Sequence, residues 1–513
     1  MNETKPGQLA KSAEQLAKSE TKPSEQLAKS ETKPAAQLAK RDAAQLAKSA
    51  EQLAKREPKP AGQLAERAAK PARKLAKSAA AAALLTAVLS GCSGSGSSAG
   101  DTVTITHYTI DSPDRTFVEK LIPDFEAKHP GIKIKVTKAP YEQFDSKLQS
   151  AIAAKNSPDV TSQWGYGGFM EYYNKGMLMD LSPYLGDFKA SDYHIPDNVM
   201  KIYEVGGKTY GIPLNSYVSV LLYNKDMFDK AGLSYPPTDY EDKSWTFDKM
   251  VEDAKAMTVD SKNLAEAQYG LDFGFGERDQ RPQYFGANVY SDDTWTNGGK
   301  PSQVNLDKPE VIDAYKKIYG LIWDQHVSPS PAFSKSVAGQ FGDPFLSGKI
   351  GMSVVGSWSL AASSDFNFKV GVAAVPQGPN PKVRSVLYID PLFVLKDSKH
   401  PKEALEWIKY LVSTEVQKKS IDLSGGNPPV NQEAAETYYA HFDGIDAAQI
   451  KQVYEGAYKY GFESYNHLID NYSQINELFI NELASVENGD KKPEEVLPGL
   501  QQKLQKLLGR VNK

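Results

Sequence analysis

The sequence predicts an α/β protein built on a parallel sheet, and three observations carry that prediction. Between Val103 and Val160 apolar residues alternate, then recur at three and four, then alternate again, which reads as strand, helix, strand, helix, strand. From Cys92 onward there are 422 residues, 513 less the 91 before it, a length that favours two or three domains with ample apolar core. The chain has one cysteine, so no intramolecular disulfide can form and the core must hold the fold unaided.

Val103, Ile105 and the alternation after them mark the first strand, and Phe117, Leu121, Ile122 and Phe125 fall on one face of a helix. His129-Pro130-Gly131 ends that helix, because proline cannot continue it and glycine turns freely. Ile132, Ile134 and Val136 alternate with Lys133 and Lys135 as the second strand. Tyr141, Phe144, Leu148 and Ile152 mark the next helix, and Pro158-Asp159-Val160 opens the third strand.

Upstream, Lys70, Arg73, Lys74 and Lys77 precede an uncharged apolar stretch from Ala79 to Leu89, a basic region followed by a hydrophobic one. That stretch is too short for a membrane-spanning helix, which needs about 20 residues. With Leu89-Ser90-Gly91-Cys92 directly after it, the segment resembles a bacterial lipoprotein signal peptide, which implies cleavage before Cys92 and lipid on its sulfur. Ser93 to Gly100 reads as a flexible tether with an end-to-end distance of about 16 Å. Residues 1–91 thus form a repeat leader and signal peptide, and 92–100 the lipidated cysteine and tether.

In the leader, Gln-Leu-Ala-Lys or a near copy places leucines at Leu9, Leu16, Leu27, Leu38, Leu46, Leu53, Leu64 and Leu75. Those spacings suit a helical stripe, yet Pro6, Pro23, Pro34, Pro58, Pro60 and Pro71 interrupt any continuous helix. Low-complexity, mostly unfolded sequence is expected; the alternative is a translation start further down, at Leu64 for instance.

Charge excludes one class of partner. The leader holds 17 Lys and Arg against 9 Asp and Glu, so the overall −4 divides into +8 before Cys92 and −12 from it onward. An acidic chain repels phosphate backbones, so no nucleic-acid partner is expected. Catalytic patterns are missing as well: no Gly-x-Ser-x-Gly elbow, no His-Glu-x-x-His helix, no P-loop and no dinucleotide fingerprint, and the seven histidines are scattered. No enzymatic activity, cofactor or metal is expected.

A longer resemblance covers almost all of residues 101 to 510. Its residues are Phe125-Glu126 with Pro130-Gly131-Ile132-Lys133-Ile134-Lys135-Val136, then Ser157-Pro158-Asp159-Val160, then Gly176-Met177-Leu178-Met179-Asp180-Leu181. They continue with Gly211-Ile212-Pro213, Leu222-Tyr223-Asn224-Lys225, Phe345 to Met352, Gly356-Ser357-Trp358 and Glu403-Ala404-Leu405-Glu406-Trp407. In order and spacing this resembles the carbohydrate-binding family of extracytoplasmic solute-binding proteins of ABC importers. The resemblance implies two α/β lobes joined by crossing strands, with solute in the cleft between them and closure on binding. By analogy the crossings fall near Ser216 to Leu222, Leu387 to Val394 and Gly425 to Asn431. The lobes are then 101–216 with 391–428, and 217–390 with 429–513.

The resemblance further implies a monomeric receptor on the extracytoplasmic face of the cell membrane, held by lipid on Cys92 and delivering a sugar to ABC permease subunits. A sugar offers flat C–H faces rimmed by hydroxyls, so its site needs aromatic plates with carboxylates and amides. Trp358 matches the family's stacking tryptophan, and Gly356 before it permits close approach. Gln163 and Trp164 follow the third strand at its carboxyl end. Tyr217 lies at the first crossing, Tyr388 and Asp390 in the return, and Asp111 after the first strand. Trp407 shares a helix face with Leu405, Ile408 and Leu411 and reads as core. Two other readings stand open. Tyr172-Tyr173 and Tyr438-Tyr439 resemble the tyrosine pairs of ferric-binding relatives, which admits an iron or polyamine receptor, and abundant carboxylates admit a lipid-anchored glycosidase.

Overall fold

Two long antiparallel strands carry the architecture, and the rest of the sheet divides to either side of them. The computed structural model describes residues 102–162 and 167–511, and Ser98–Lys513 form one compact unit. The strands are β1 (Val103–Ile110), β2 (Ile132–Ala139), β3 (Val160–Ser162), β4 (Glu204–Val205), β5 (Lys208–Thr209) and β6 (Ile212–Asn224). They continue as β7 (Tyr269–Phe273), β8 (Ile350–Gly356), β9 (Val370–Ala373), β10 (Ser385–Val394) and β11 (Gly461–Glu463). The main sheet runs β2-β1-β3-β10-β6-β8-β7, with β11 on β10 and β9 on β6; β4 and β5 pair separately.

The expected parallel order holds for the first three strands. β1 pairs with β2 in parallel along its whole length, Val103 facing Ile132 and Ile110 facing Ala139, and with β3 on its other edge. Beyond β3 the sheet is mixed: β10 is antiparallel to β3 and to β6, and β6 to β8 and β9. The departure from a parallel sheet has a topological cause, since one chain segment goes out along β6 and another comes back along β10.

All 13 residues of β6 are buried, and at about 3.3 Å per residue it spans roughly 40 Å. Its first residues pair with the second part of β10 and its last with β8 and β9, so it belongs to both halves. The β6–β10 register shifts between Asp390 and Pro391. Proline cannot donate to the ladder, and a bulge at such a place re-aims the neighbouring side chain. A third passage runs beside β6, where Ser216 N donates to Pro428 O at 3.1 Å and Val430 N to Leu214 O at 3.2 Å.

Helices cover the sheet with the faces their periodicity dictates. Phe117–Lys128 buries Phe117, Val118, Leu121 and Phe125, and Phe125 meets Trp407 of helix Pro401–Val412 edge-on at 4.8 Å. Asn224 ends β6 and caps the following helix Lys225–Ala231 by accepting from Met227 N, while Gly232 leaves it in the left-handed conformation. A second apolar cluster unites helices Pro309–Trp323, Tyr472–Glu487 and Pro493–Val511 through Tyr315, Ile475, Phe479, Leu483, Leu500 and Leu504. Among the described residues no helix is long and apolar enough to cross a membrane.

Candidate binding cleft

Side chains alternate across a strand, so neighbouring residues of β6 face opposite sides of the sheet. Tyr217 faces a cavity of about 640 Å³ between the halves, whereas Ser216 faces a second one of about 410 Å³ behind the crossing strands. The half carrying β1 lines the first cavity with Ile110, Ser112, Asp114, Arg115 and Tyr141; the other half supplies Gly276, Glu277, Trp358, Ala361, Asn466 and His467. Tyr388 and Asp390 of β10 and Asn427 of the third passage complete it.

One wall is aromatic. Tyr217 and Tyr388 are cross-strand partners, and such pairs share a face of the sheet. The indole of Trp358 meets both edge-on, at 5.8 Å from Tyr217 and 5.1 Å from Tyr388. Trp358 is nonetheless 48% exposed, while Tyr217 is 3% exposed. A large apolar ring kept open inside a concave site offers a flat apolar face. Its position depends on Gly356: a Cβ there would lie 2.1 Å from Cη2 and Cζ3 of the indole.

The other wall is charged. The 3₁₀ turn Pro113–Arg115 after β1 brings in Arg115, which is 5% exposed and donates to Asn215 Oδ1 at 3.2 Å and to the Tyr217 hydroxyl at 3.1 Å. It pairs with Asp114 at 2.9 Å and lies 3.9 Å from Asp390. Asp390 is 4% exposed and its Oδ2 has no hydrogen-bond partner. Burial pushes its carboxyl well above the usual range, against the attraction of Arg115 and His467. Burial likewise raises Glu277 to about 7, and its Oε2 is unbonded.

His467 Nδ1 lies 2.5 Å from Glu463 Oε1. Burial opposes charge on this imidazole, yet the Glu463 hydrogen bond, with Glu463, Asp390 and Glu277 nearby, carries its pKa above the usual value. Burial also raises Glu463. The contact with His467 pulls Glu463 down, and burial outweighs that pull. Asn466 Oδ1 is a further buried acceptor without a donor. The cleft therefore combines an open indole face with carboxyl and amide oxygens that make no hydrogen bond, a chemistry suited to a ligand with flat C–H faces and many hydroxyl groups.

Of the residues singled out in the sequence, Tyr217, Trp358, Tyr388 and Asp390 line this cavity. Asp111 does not: it is exposed at the end of β1, and its neighbours Ile110 and Ser112 take the place expected of it. Gln163, Trp164 and Cys92 lie outside the described residues. Neither tyrosine pair lines the cleft. Tyr172 is in the core with its hydroxyl on Asp145 Oδ1 at 2.5 Å. Tyr438 and Tyr439 line the cavity behind the crossing strands, where the Tyr438 and Tyr454 hydroxyls bond each other at 2.5 Å and Tyr458 donates to Ser216 Oγ. Trp407 is fully buried. Arg115, Glu277, Asn427, Asn466 and His467 were not singled out. The loop after the first strand pointed near Arg115; the other four sit in loops and short turns without periodicity.

The family described as bacterial extracellular solute-binding protein matches residues 110–418. A putative binding protein of Brucella abortus (strain 2308) is 24% identical over 388 residues, covering 74% of this chain and 87% of that protein. The multiple sugar-binding protein of Streptococcus mutans is 24% identical over 351 residues, covering 67% of this chain and 79% of its own. Among solved structures, an ABC substrate-binding protein of Listeria monocytogenes in complex with cycloalternan superposes with a TM-score of 0.66 at 25% identity, over 80% of this chain and all of that one. The chain shares its two-lobed mixed α/β fold with that structure, and it belongs to the family of bacterial extracellular solute-binding proteins.

Proposed function

We propose that this chain binds a sugar or oligosaccharide in the cleft between its lobes and delivers it to the membrane subunits of an ABC importer. The observation that carries this reading is the open indole of Trp358, set against Tyr217 and Tyr388 and facing carboxylates that lack donors. The names of relatives support it, one a multiple sugar-binding protein and one solved with cycloalternan. The lobes are 101–216 with 391–428, and 217–390 with 429–513; Trp358, Tyr217, Tyr388 and Asp390 touch the ligand, with Gln163 and Trp164 near it. The protein works as a monomeric receptor and not as an enzyme.

A micromolar receptor has about 8 kcal/mol of binding free energy, and one aromatic platform contributes about 1 to 3 kcal/mol by analogy with base stacking. Titration calorimetry against a panel of neutral oligosaccharides should find one that binds, and Trp358→Ala should weaken it by about tenfold to a hundredfold with folding intact. Unchanged affinity in Trp358→Ala, or turnover of the sugar, would remove the proposal.

The receptor is held outside the cytoplasmic membrane by lipid on Cys92. More than one acyl chain makes such anchoring stable. Cys92→Ser should lose lipid by mass spectrometry and leave the membrane fraction; retention of both would show another anchor.

A further inference from the structure

Glu171 belongs to the short helix Phe169–Asn174, which packs in the half carrying β1: Phe169 meets Phe393 at 5.9 Å and Tyr203 at 5.1 Å. Its carboxylate nevertheless binds the opposite half. Glu171 Oε2 accepts from Ser473 Oγ at 3.1 Å and from Ser473 N at 3.4 Å, and Oε1 from the same hydroxyl at 3.3 Å. Ser473 is the second residue of the 16-residue helix Tyr472–Glu487, whose Tyr472 belongs to the second apolar cluster and donates its hydroxyl to Asp279.

That helix lacks a cap of its own. Asn471 stands at its amino end with φ 56°, makes no side-chain cap hydrogen bond, and leaves its Nδ2 without a partner. A carboxylate at a helix amino terminus accepts orphan N–H groups and opposes the positive end of the macrodipole. Glu171 meets that need from the opposite half, with its side chain 2% exposed and Lys175 Nζ 2.6 Å from Oε1. Two further contacts cross at the same place. Asn174 Nδ2 donates to Gly298 O at 2.9 Å. Gly168 packs so closely on the Asn466 carbonyl that a Cβ would lie 1.5 Å from that oxygen.

We infer that Glu171 is a positioning residue of the cleft: it caps helix Tyr472–Glu487 in trans and so registers the cleft-lining turn of Asn466 and His467 against the half that carries Arg115. The inference rests on the two-lobed fold and not on the identity of the ligand, so its test needs none.

Hydrogen exchange by mass spectrometry on the unliganded full chain decides it. In Glu171→Ala, peptides covering 466–475 should exchange about fivefold faster, the equivalent of ~1 kcal/mol for an amino-terminal cap, with the remainder of the second half unchanged. Glu171→Gln keeps an acceptor without the charge and should fall between. Ser473→Ala, a milder change, should loosen 167–175 in the opposite half. Acceleration confined to the mutated half, spread evenly over the chain, or absent from both variants would overturn the inference.

Discussion

The imidazole of His107 is 1% exposed beneath Trp407, whose indole N–H donates to Nδ1 at 2.9 Å. Burial lowers its pKa from 6.5 to about 4. An unfolded chain therefore takes up a proton near 6.5 that the native state refuses until about 4, and stability is lost as pH falls through that window. The loss amounts to about 3 kcal/mol at 1.36 kcal/mol per unit. Glu277, raised from 4.5 to about 7, acts in the opposite sense, holding a proton in the native state that the unfolded chain gives up. The readout is thus the difference between wild type and His107→Gln in urea unfolding from pH 4 to 7: the variant should lose less stability on acidification, and parallel curves would show that His107 is solvated. At this scale the sequence exposes aromatic residues better than charged ones. Trp358 and Tyr217 stood out because the family resemblance marks the stacking tryptophan and the first crossing, whereas Arg115 and Glu277 look like any loop charge until the turn brings them inward.

The junction where β8 gives way to the 3₁₀ turn Ser357–Asp365 holds the aromatic wall in place. Gly356 has φ −70°, a backbone that alanine adopts without strain, so the cost of a methyl there falls on the indole above it. Gly356→Ala should change tryptophan fluorescence and weaken sugar binding by about tenfold, the lower part of a stacking contribution, while far-ultraviolet circular dichroism stays as in wild type. Unaltered affinity would mean that the indole orientation is immaterial. Periodicity exposed the elements from Val103 to Ser162 and the turn before β2, because alternation and three-four spacing are local. It left strand direction open further on. The apolar run Val220-Leu221-Leu222 is buried on both faces and reads alike in a parallel or an antiparallel neighbour, so the mixed sheet could not be told from it.

Over the whole molecule, two lobes share β6 and β10, and the cleft opens where both contribute side chains to one cavity of about 640 Å³. On the proposed function, a ligand that bridged Arg115, Asp114 and Tyr141 on one side with Glu277, Trp358 and Asn466 on the other would bind best when the lobes approach, and it could shift their arrangement only by that differential affinity. The family resemblance, not periodicity, made the two-lobed plan legible, since contacts between the halves join residues as far apart as Glu171 and Ser473. The sugar-binding account is tested most directly by small-angle X-ray scattering of the chain from Gly100 onward, with and without a saturating neutral oligosaccharide that calorimetry shows to bind. The account predicts a smaller radius of gyration with the sugar, and less compaction in Trp358→Ala at the same sugar concentration; identical scattering with and without a tightly bound sugar would contradict it.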